Sequence, residues 1–231
     1  MIKWIVALKY RADQPAEACR RYWTEQHGPM ALELPGLKHY RQSHRVTGED
    51  DFGNAPYDGF GNAPYDGFGS LWFEDEAAAR RALASPQMAA LRTDAERFAD
   101  PAGTRQVLAR EVVLRDAPAP DDDLKLITFN YRKPGMSPRQ FQDYWENEHG
   151  QLVLRNFAAL GRYVQNHALL SNYDSGAEPD FDGVLEAWLT SLDAFHAMEG
   201  TPASDAMRAD EANFLDPVRF RFMLVRDKTF R

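Results

Sequence analysis

The sequence predicts an α+β protein built of two ferredoxin-like βαββαβ halves, and three observations carry that expectation. A long internal repeat runs through the chain. Each copy holds the same order of strand and helix signals. The 231 residues also suit two units of about 115 residues, each able to bury a modest core.

The repeat is read from three motifs. RRYWTEQHGPM (20–30) recurs as QDYWENEHGQL (142–152), so Tyr22, Trp23 and His27 precede Tyr144, Trp145 and His149 by 122 positions. HYRQSH (39–44) recurs as RYVQNH (162–167), which gives each half one Tyr-x-Gln-x-His. DGFGSLWF from Asp66 recurs as DGVLEAWL from Asp182 at an offset of 116, which Ser85-Pro86 and Thr201-Pro202 share. The offset shrinks across residues 52–67, where the octapeptide FGNAPYDG is written twice. Removing one copy nearly restores the loop length of the second half, so the second FGNAPYDG reads as a late insertion. RDAPAPDDD (115–123) reads as an extended linker, placing the halves at 1–114 and 124–231.

Within each half the elements follow in order. IKWIVALKY and LKLITFNY are β-rich runs that make strand one. Ser137-Pro138-Arg139-Gln140 has the form of a capping box with proline at the first helical position. The helix it opens runs to about Leu154, with Phe141, Tyr144, Trp145, Glu148 and Leu152 at three-four spacing; Cys19, Tyr22, Trp23, Gln26 and Met30 repeat that spacing. Strand two carries Tyr-x-Gln-x-His, and strand three carries FGSLWF or VLEAWL. Helical stretches at 75–98 and 191–214 follow, with Ser85 and Thr201 as N-caps. RQVLAREVVL and RFRFMLV close the halves as strand four.

Composition excludes several functions. A hydrophobic fraction of 44% and a charged fraction of 27% describe an ordinary soluble globular protein. A net charge of −8 leaves no cationic footprint for a phosphate backbone, so no nucleic-acid partner is expected. The single cysteine, Cys19, rules out an internal disulfide and fits a reducing compartment. The apolar run at the N-terminus is too short for a membrane span and has no cleavage site after it, so a cytoplasmic location is expected.

Together, Tyr-Trp-x3-His-Gly on the first helix, Tyr-x-Gln-x-His on strand two and Asp-Gly-x4-Trp entering strand three resemble the EthD family, in two tandem copies. The resemblance implies the dimeric α+β barrel superfamily, with the two sheets packed face to face inside one polypeptide. Relatives of that fold include polyketide cyclases, cofactor-free quinone-forming monooxygenases, decarboxylases, dehydratases and some haem proteins, and the fold does not choose among them.

Strand alternation sorts the candidates by face. Ile5, Ala7, Ile127 and Phe129 are expected to meet the helices, leaving Trp4, Val6, Leu8, Leu126, Thr128 and Asn130 to line the barrel. Tyr40, Gln42 and His44, their counterparts Tyr163, Gln165 and His167, and Phe68, Ser70, Trp72, Val184, Glu186 and Trp188 are expected on the same lining. A flat, partly aromatic apolar ligand suits such walls.

His44 and His167, each with a tyrosine in reach (Tyr40, Tyr163), are the leading acid-base candidates. His27 and His149 share a helical face with Trp23 and Trp145; they read as caps of helix carbonyls or, as the resemblance implies, as site residues at the cavity mouth. Glu186, whose counterpart is Ser70, is expected to be a carboxyl of raised pKa among aromatics. Trp4, Trp72, Trp188, Phe68, Gln42, Gln165 and Asn130 are the expected substrate contacts.

No metal motif, GxGxxG or P-loop is present, so no metal and no cofactor are expected, with haem as a remote alternative. The reading is a cofactor-independent enzyme acting on a small hydrophobic, aromatic or polyketide-like molecule by general acid-base chemistry, as a cyclase, dehydratase, decarboxylase or other lyase. The alternatives are a cofactor-free oxygenase and a non-catalytic binding or accessory protein for a hydrophobic metabolite in a degradation pathway, with aromatic-compound catabolism the expected setting. The expected partner is that small ligand, with the chain a monomer holding an internal pseudo-dimer, or a homodimer. The aromatic residues of the duplicated octapeptide suit a lid over one mouth of the barrel.

Overall fold

The computed structural model describes residues 1–46, 61–117, 124–157, 160–191, 193–194, 197–198 and 200–230. The octapeptide copy at 52–59, with its expected lid role, and linker residues 118–123 lie outside them. The chain forms two compact units: Met1–Arg45 with Pro64–Arg110 and Asp227–Arg231, and Val46–Ala63 with Glu111–Arg226.

The first unit runs β1 (Ile2–Leu8), α1 (Ala16–Tyr22), a π-helical turn (Trp23–His27), α2 (Gly28–Ala31) and β2 (Leu37–Arg45). After β3 (Gly61–Asn62), which belongs to the second unit, come β4 (Gly67–Phe73), α3 (Glu76–Leu83), α4 (Pro86–Ala95) and β5 (Arg105–Arg115). The second unit repeats the order as β6 (Leu124–Asn130), α5 (Pro138–Tyr144), a π-helical turn (Trp145–His149), α6 (Gly150–Asn156) and β7 (Leu160–Ala168). It ends with β8 (Gly183–Leu189), α7 (Pro202–Glu211) and β9 (Arg221–Thr229).

Each unit is thus the expected βαββαβ, with an antiparallel sheet ordered β2-β4-β1-β5 or β7-β8-β6-β9. The two residues of β3 add to β9 in parallel. Strand β5 pairs with β1 only as far as Arg110, and β9 with β6 only as far as Arg226. Residues 111–114 therefore belong to the second unit and 227–231 to the first, because each fourth strand outruns its own neighbour.

The capping chemistry is as read. Ser137 and Gln140 close a full capping box, and the side chains of Ser85 and Thr201 accept from backbone N–H groups three residues on. Among the described residues, no helix is long and apolar enough to cross a membrane.

The face assignment needs correction. Register pairs Lys3 with Trp72, Ile5 with Ser70 and Ala7 with Phe68, and Lys125 with Trp188, Ile127 with Glu186 and Phe129 with Val184. These residues share the faces turned away from the helices, where Lys3 Nζ sits over the Trp72 ring and Lys125 Nζ over that of Trp188. Ile5, Ala7, Ile127 and Phe129 therefore do not meet the helices. The helix side holds Trp4, Val6, Leu8 and Gly69, and Leu126, Thr128, Asn130 and Leu185, together with Tyr-x-Gln-x-His of strand two. Apolar character misled because both faces are buried: a pair such as Lys125–Glu186 neutralises itself, so the charged face reads no more polar than the other.

The three motifs are explained by packing around the π-helical turns. Widening the helix by one residue per turn leaves the Trp23 and Trp145 carbonyls accepting from the N–H five residues on. Gln42 Nε2 donates to the Trp23 carbonyl at 2.9 Å and Gln165 Nε2 to that of Trp145 at 2.8 Å. At the glycine of His-Gly a Cβ would meet this amide, at 3.0 Å from Gly28 and 2.9 Å from Gly150. The glycine of Asp-Gly makes room for the indole, since a Cβ on Gly67 or Gly183 would collide with Cζ3 of Trp23 or Trp145. The aspartate accepts from the backbone ending strand one: Tyr10 N to Asp66 at 2.8 Å and Arg132 N to Asp182 at 2.9 Å.

Candidate functional site

In both units the π-helical turn ends on a histidine that meets an aspartate of the second helical stretch. His27 Nδ1 lies 2.9 Å from Asp94 Oδ2, and Tyr22 donates to Oδ1 of the same carboxylate at 2.7 Å. His149 Nδ1 lies 2.8 Å from Asp210 Oδ2, and Tyr144 donates to Oδ1 at 2.7 Å. A carboxylate only accepts, so Nδ1 carries the proton and the neutral ring has its lone pair on Nε2. Burial lowers both histidines from their ordinary value, against the pull of the aspartate. Burial pushes the Asp210 carboxyl up, but hydrogen bonds from Tyr144, His149 and Asn213 outweigh it and the net shift is downward.

The second unit places the histidine of this pair on the wall of a cavity between its sheet and helices. The cavity measures about 80 Å³. About 10–15 Å³ on that measure holds one water, so there is room for several. Thr128 and Asn130 from β6, Tyr163 from β7 and Leu185 from β8 form its floor; Trp145, His149, Glu211 and Phe214 stand over it. The walls are mostly apolar, and the polar groups are few: His149, Glu211, Tyr163 and the pair in which Thr128 Oγ1 donates to Asn130 Oδ1 at 2.9 Å. Glu211 is pushed up to about 8 by burial, against Arg208 and with the help of Asp210. Its Oε2 is enclosed and has no hydrogen-bond partner among the described residues.

Of the catalytic and substrate-contact candidates read from the sequence, His149, Tyr163 and Asn130 come together here, with Leu126 and Thr128 of the expected lining beside them. The other candidates do not. His44 and His167 pack on the rings of Trp23 and Trp145 at 4.8 Å, and neither lines the cavity. Burial pushes His44 down to about 4. Gln42 and Gln165 hold the π-helical turns, and Tyr40 is buried where Gln42 Nε2 donates to its hydroxyl. Glu186 lies on the opposite face of the sheet, ion-paired with Lys125 at 2.6 Å and accepting from Asn166, so it is no isolated acid among aromatics. Trp188 shares that face, and Phe68 and Trp72 lie on the corresponding face of the first unit's own sheet. Trp4 is a buried residue of the first unit, its indole donating to Gln106 at 3.1 Å. His27 is paired with Asp94 in the first unit and caps no carbonyl.

Asp210 and Glu211 were missed, yet the repeat contains the signal. At the offset of 116, Asp94 and Asp210 coincide, while Ala95 and Glu211 differ.

The EthD domain model matches residues 11–102 and again 133–218. No curated protein matches the sequence. Among solved structures, an anthrone oxidase-like protein is 12% identical and superposes with a TM-score of 0.66, over 99% of this chain and 92% of that one. A monooxygenase-like protein from Lactobacillus acidophilus NCFM is 10% identical, with a TM-score of 0.54 over 99% and 94% of the two chains. A chlorite dismutase variant from Candidatus Nitrospira defluvii is 11% identical, with a TM-score of 0.57 over 98% and 91%. At these identities the likeness shows the fold alone, that of the dimeric α+β barrel class with two ferredoxin-like halves.

The expectation of no cofactor, with haem a remote alternative, is corrected. Chlorite dismutases stand among the structures this chain resembles, at TM-scores of 0.53, so haem binding belongs to the range of the fold. The residues of the cavity nevertheless do not fit a porphyrin. Trp145, Tyr163, Phe214 and Phe222 crowd a space of several waters, and His149 is its one imidazole. Among the described residues no group of three or more His, Cys, Asp or Glu is placed to hold a metal ion.

Proposed function

This chain belongs to the EthD family, carrying two tandem copies of its domain, and from that premise we propose that it is an enzyme acting on a small hydrophobic, partly aromatic molecule by proton transfer in the cavity of the second unit. The observation that carries the reading is His149 on the wall of an apolar cavity, backed by Asp210 at its Nδ1.

Apolar walls exclude water from the bound molecule and strengthen every electrostatic contact within. The Nε2 lone pair of neutral His149 takes a proton from a C–H or O–H made acidic by a neighbouring carbonyl. Asp210 fixes the tautomer and stabilises the imidazolium that forms, and Tyr144 and Asn213 hold Asp210 in place. Tyr163 and Asn130 touch the substrate. Gln165 and His167 position the π-helical turn that presents His149. Cyclisation and dehydration proceed from the resulting enolate, and carbon-carbon cleavage runs in the opposite sense, forming an enolate that the imidazolium reprotonates. The likeness to an anthrone oxidase-like protein favours a second reading, in which dioxygen is the oxidant that takes electrons from the same enolate.

The test is exchange of the proton next to the carbonyl of 1-tetralone for solvent deuterium, followed by NMR. The protein is expected to catalyse it, and His149→Ala to lose about 100- to 10,000-fold of the rate. Equal rates in the two proteins contradict the assignment.

A further inference from the structure

Resting on that reading, we infer that Glu211 is a second catalytic group of the same cavity, a carboxylic acid donating a hydrogen bond to a carbonyl oxygen of the substrate, and that the substrates are aromatic ketones and their enols. Glu211 ends α7 and lines the cavity with His149. Its Oε2 is enclosed and has no hydrogen-bond partner among the described residues. A buried polar atom without a partner destabilises a fold, so it calls for an explanation.

The first unit shows that the fold does not supply one. Ala95 stands at the equivalent place, next to an Asp94–His27 pair of the same geometry. The helix and its aspartate are built without the carboxyl. What Glu211 adds is a hydrogen-bonding group aimed into the cavity beside the imidazole.

Its protonation state follows from its surroundings. The groups around it are Arg208 and Asp210 on its own helix, with His149 and Tyr163 across the cavity. The C-terminal end of a helix also disfavours negative charge. Burial, against Arg208 and with Asp210, pushes Glu211 up to about 8, so near pH 7 it carries a proton. As the substrate C–H proton moves to His149 Nε2, the C–H electron pair becomes the new C=C bond and the carbonyl pair moves to oxygen. The Glu211 O–H stabilises that oxygen without itself ionising. A hydrocarbon leaves Oε2 unpaired. A carboxylate brings a second negative charge among apolar walls beside Asp210.

The probe is 1-tetralone, read by the infrared stretch of its carbonyl when bound to the full chain. At pH 7 the stretch is expected at lower frequency than in apolar solvent. That shift is lost in Glu211→Ala, retained in part in Glu211→Gln, and lost in the unaltered protein as pH rises through about 8. Leu185→Trp, which fills the cavity, is expected to abolish binding. If Leu185→Trp blocks binding but the stretch is the same with and without Glu211, the role of Glu211 is overturned and the cavity stands. If tetralone fails to bind, or binds Leu185→Trp equally well, both readings fall. Thermal melts keep the comparison sound, since alanine is what the first unit carries at this place.

Discussion

The two halves of the chain keep the same frame and differ in what they put inside it. Both wind a π-helical turn from tryptophan to histidine, hold its carbonyl with a glutamine, and set the histidine against an aspartate that also receives a tyrosine hydroxyl. Where the second half has Thr128, Asn130 and Glu211, the first has Val6, Leu8 and Ala95. Where the second half has Leu126 and Phe222, the first has Trp4 hydrogen-bonded to Gln106. The retained frame is what both halves need to fold, and the substituted interior is where the proposed site lies. Retention of a motif in both copies, taken alone, selects for the frame.

The largest effect expected to sharpen this comparison is catalytic. His149→Ala is expected to lower kcat/KM by about 100- to 10,000-fold, whereas His27→Ala leaves turnover unchanged at temperatures where the protein stays folded. Equal losses would show that both halves act.

The next effects are symmetrical and concern stability. Gly67→Ala and Gly183→Ala each drive a Cβ into an indole, and each is expected to cost about 1–3 kcal/mol in chemical denaturation. Gln42→Leu and Gln165→Leu remove the amide that supports the π-helical turn, at about 1–2 kcal/mol each. If one half tolerates these changes, the frame is not shared.

The last effect is in pH dependence, where His44 and Glu211 act with opposite signs. His44 stays neutral in the folded protein down to about 4, while the unfolded ring protonates from 6.5. The unfolded chain binds more protons in that window, so this contribution falls as pH drops from 6.5 to about 4. Glu211 keeps its proton up to about 8 when folded and loses it from 4.5 when unfolded, so its contribution falls as pH rises between those values. Thermal melts of His44→Phe and Glu211→Ala are expected to flatten opposite limbs of the stability profile.

Much of the frame was legible in the sequence because a duplication aligns against itself. Motifs at constant offsets, a capping box and proline-marked N-caps located the elements closely. The strand faces were not legible. Alternation assigns residues to two sets, but when both faces are buried it does not say which set meets the helices, and Ile127 and Phe129 look as much like core as Leu126 does. That ambiguity put Glu186 in the site and drew attention to His167, although Lys125 and Trp145 account for them. Tyr163, Asn130 and His149 were named and do meet. Glu211 was hidden because its burial depends on the fold of α7 over the sheet, which no local spacing reports.

The most direct test of the account converts the second half's interior to that of the first. The triple variant Thr128→Val, Asn130→Leu, Glu211→Ala keeps Asp210–His149 and every part of the frame. Calorimetric titration of 1-tetralone into it, at a temperature where melts show it folded, is expected to give no binding. Affinity equal to that of the unaltered protein would contradict the claim that the second half's cavity is the site.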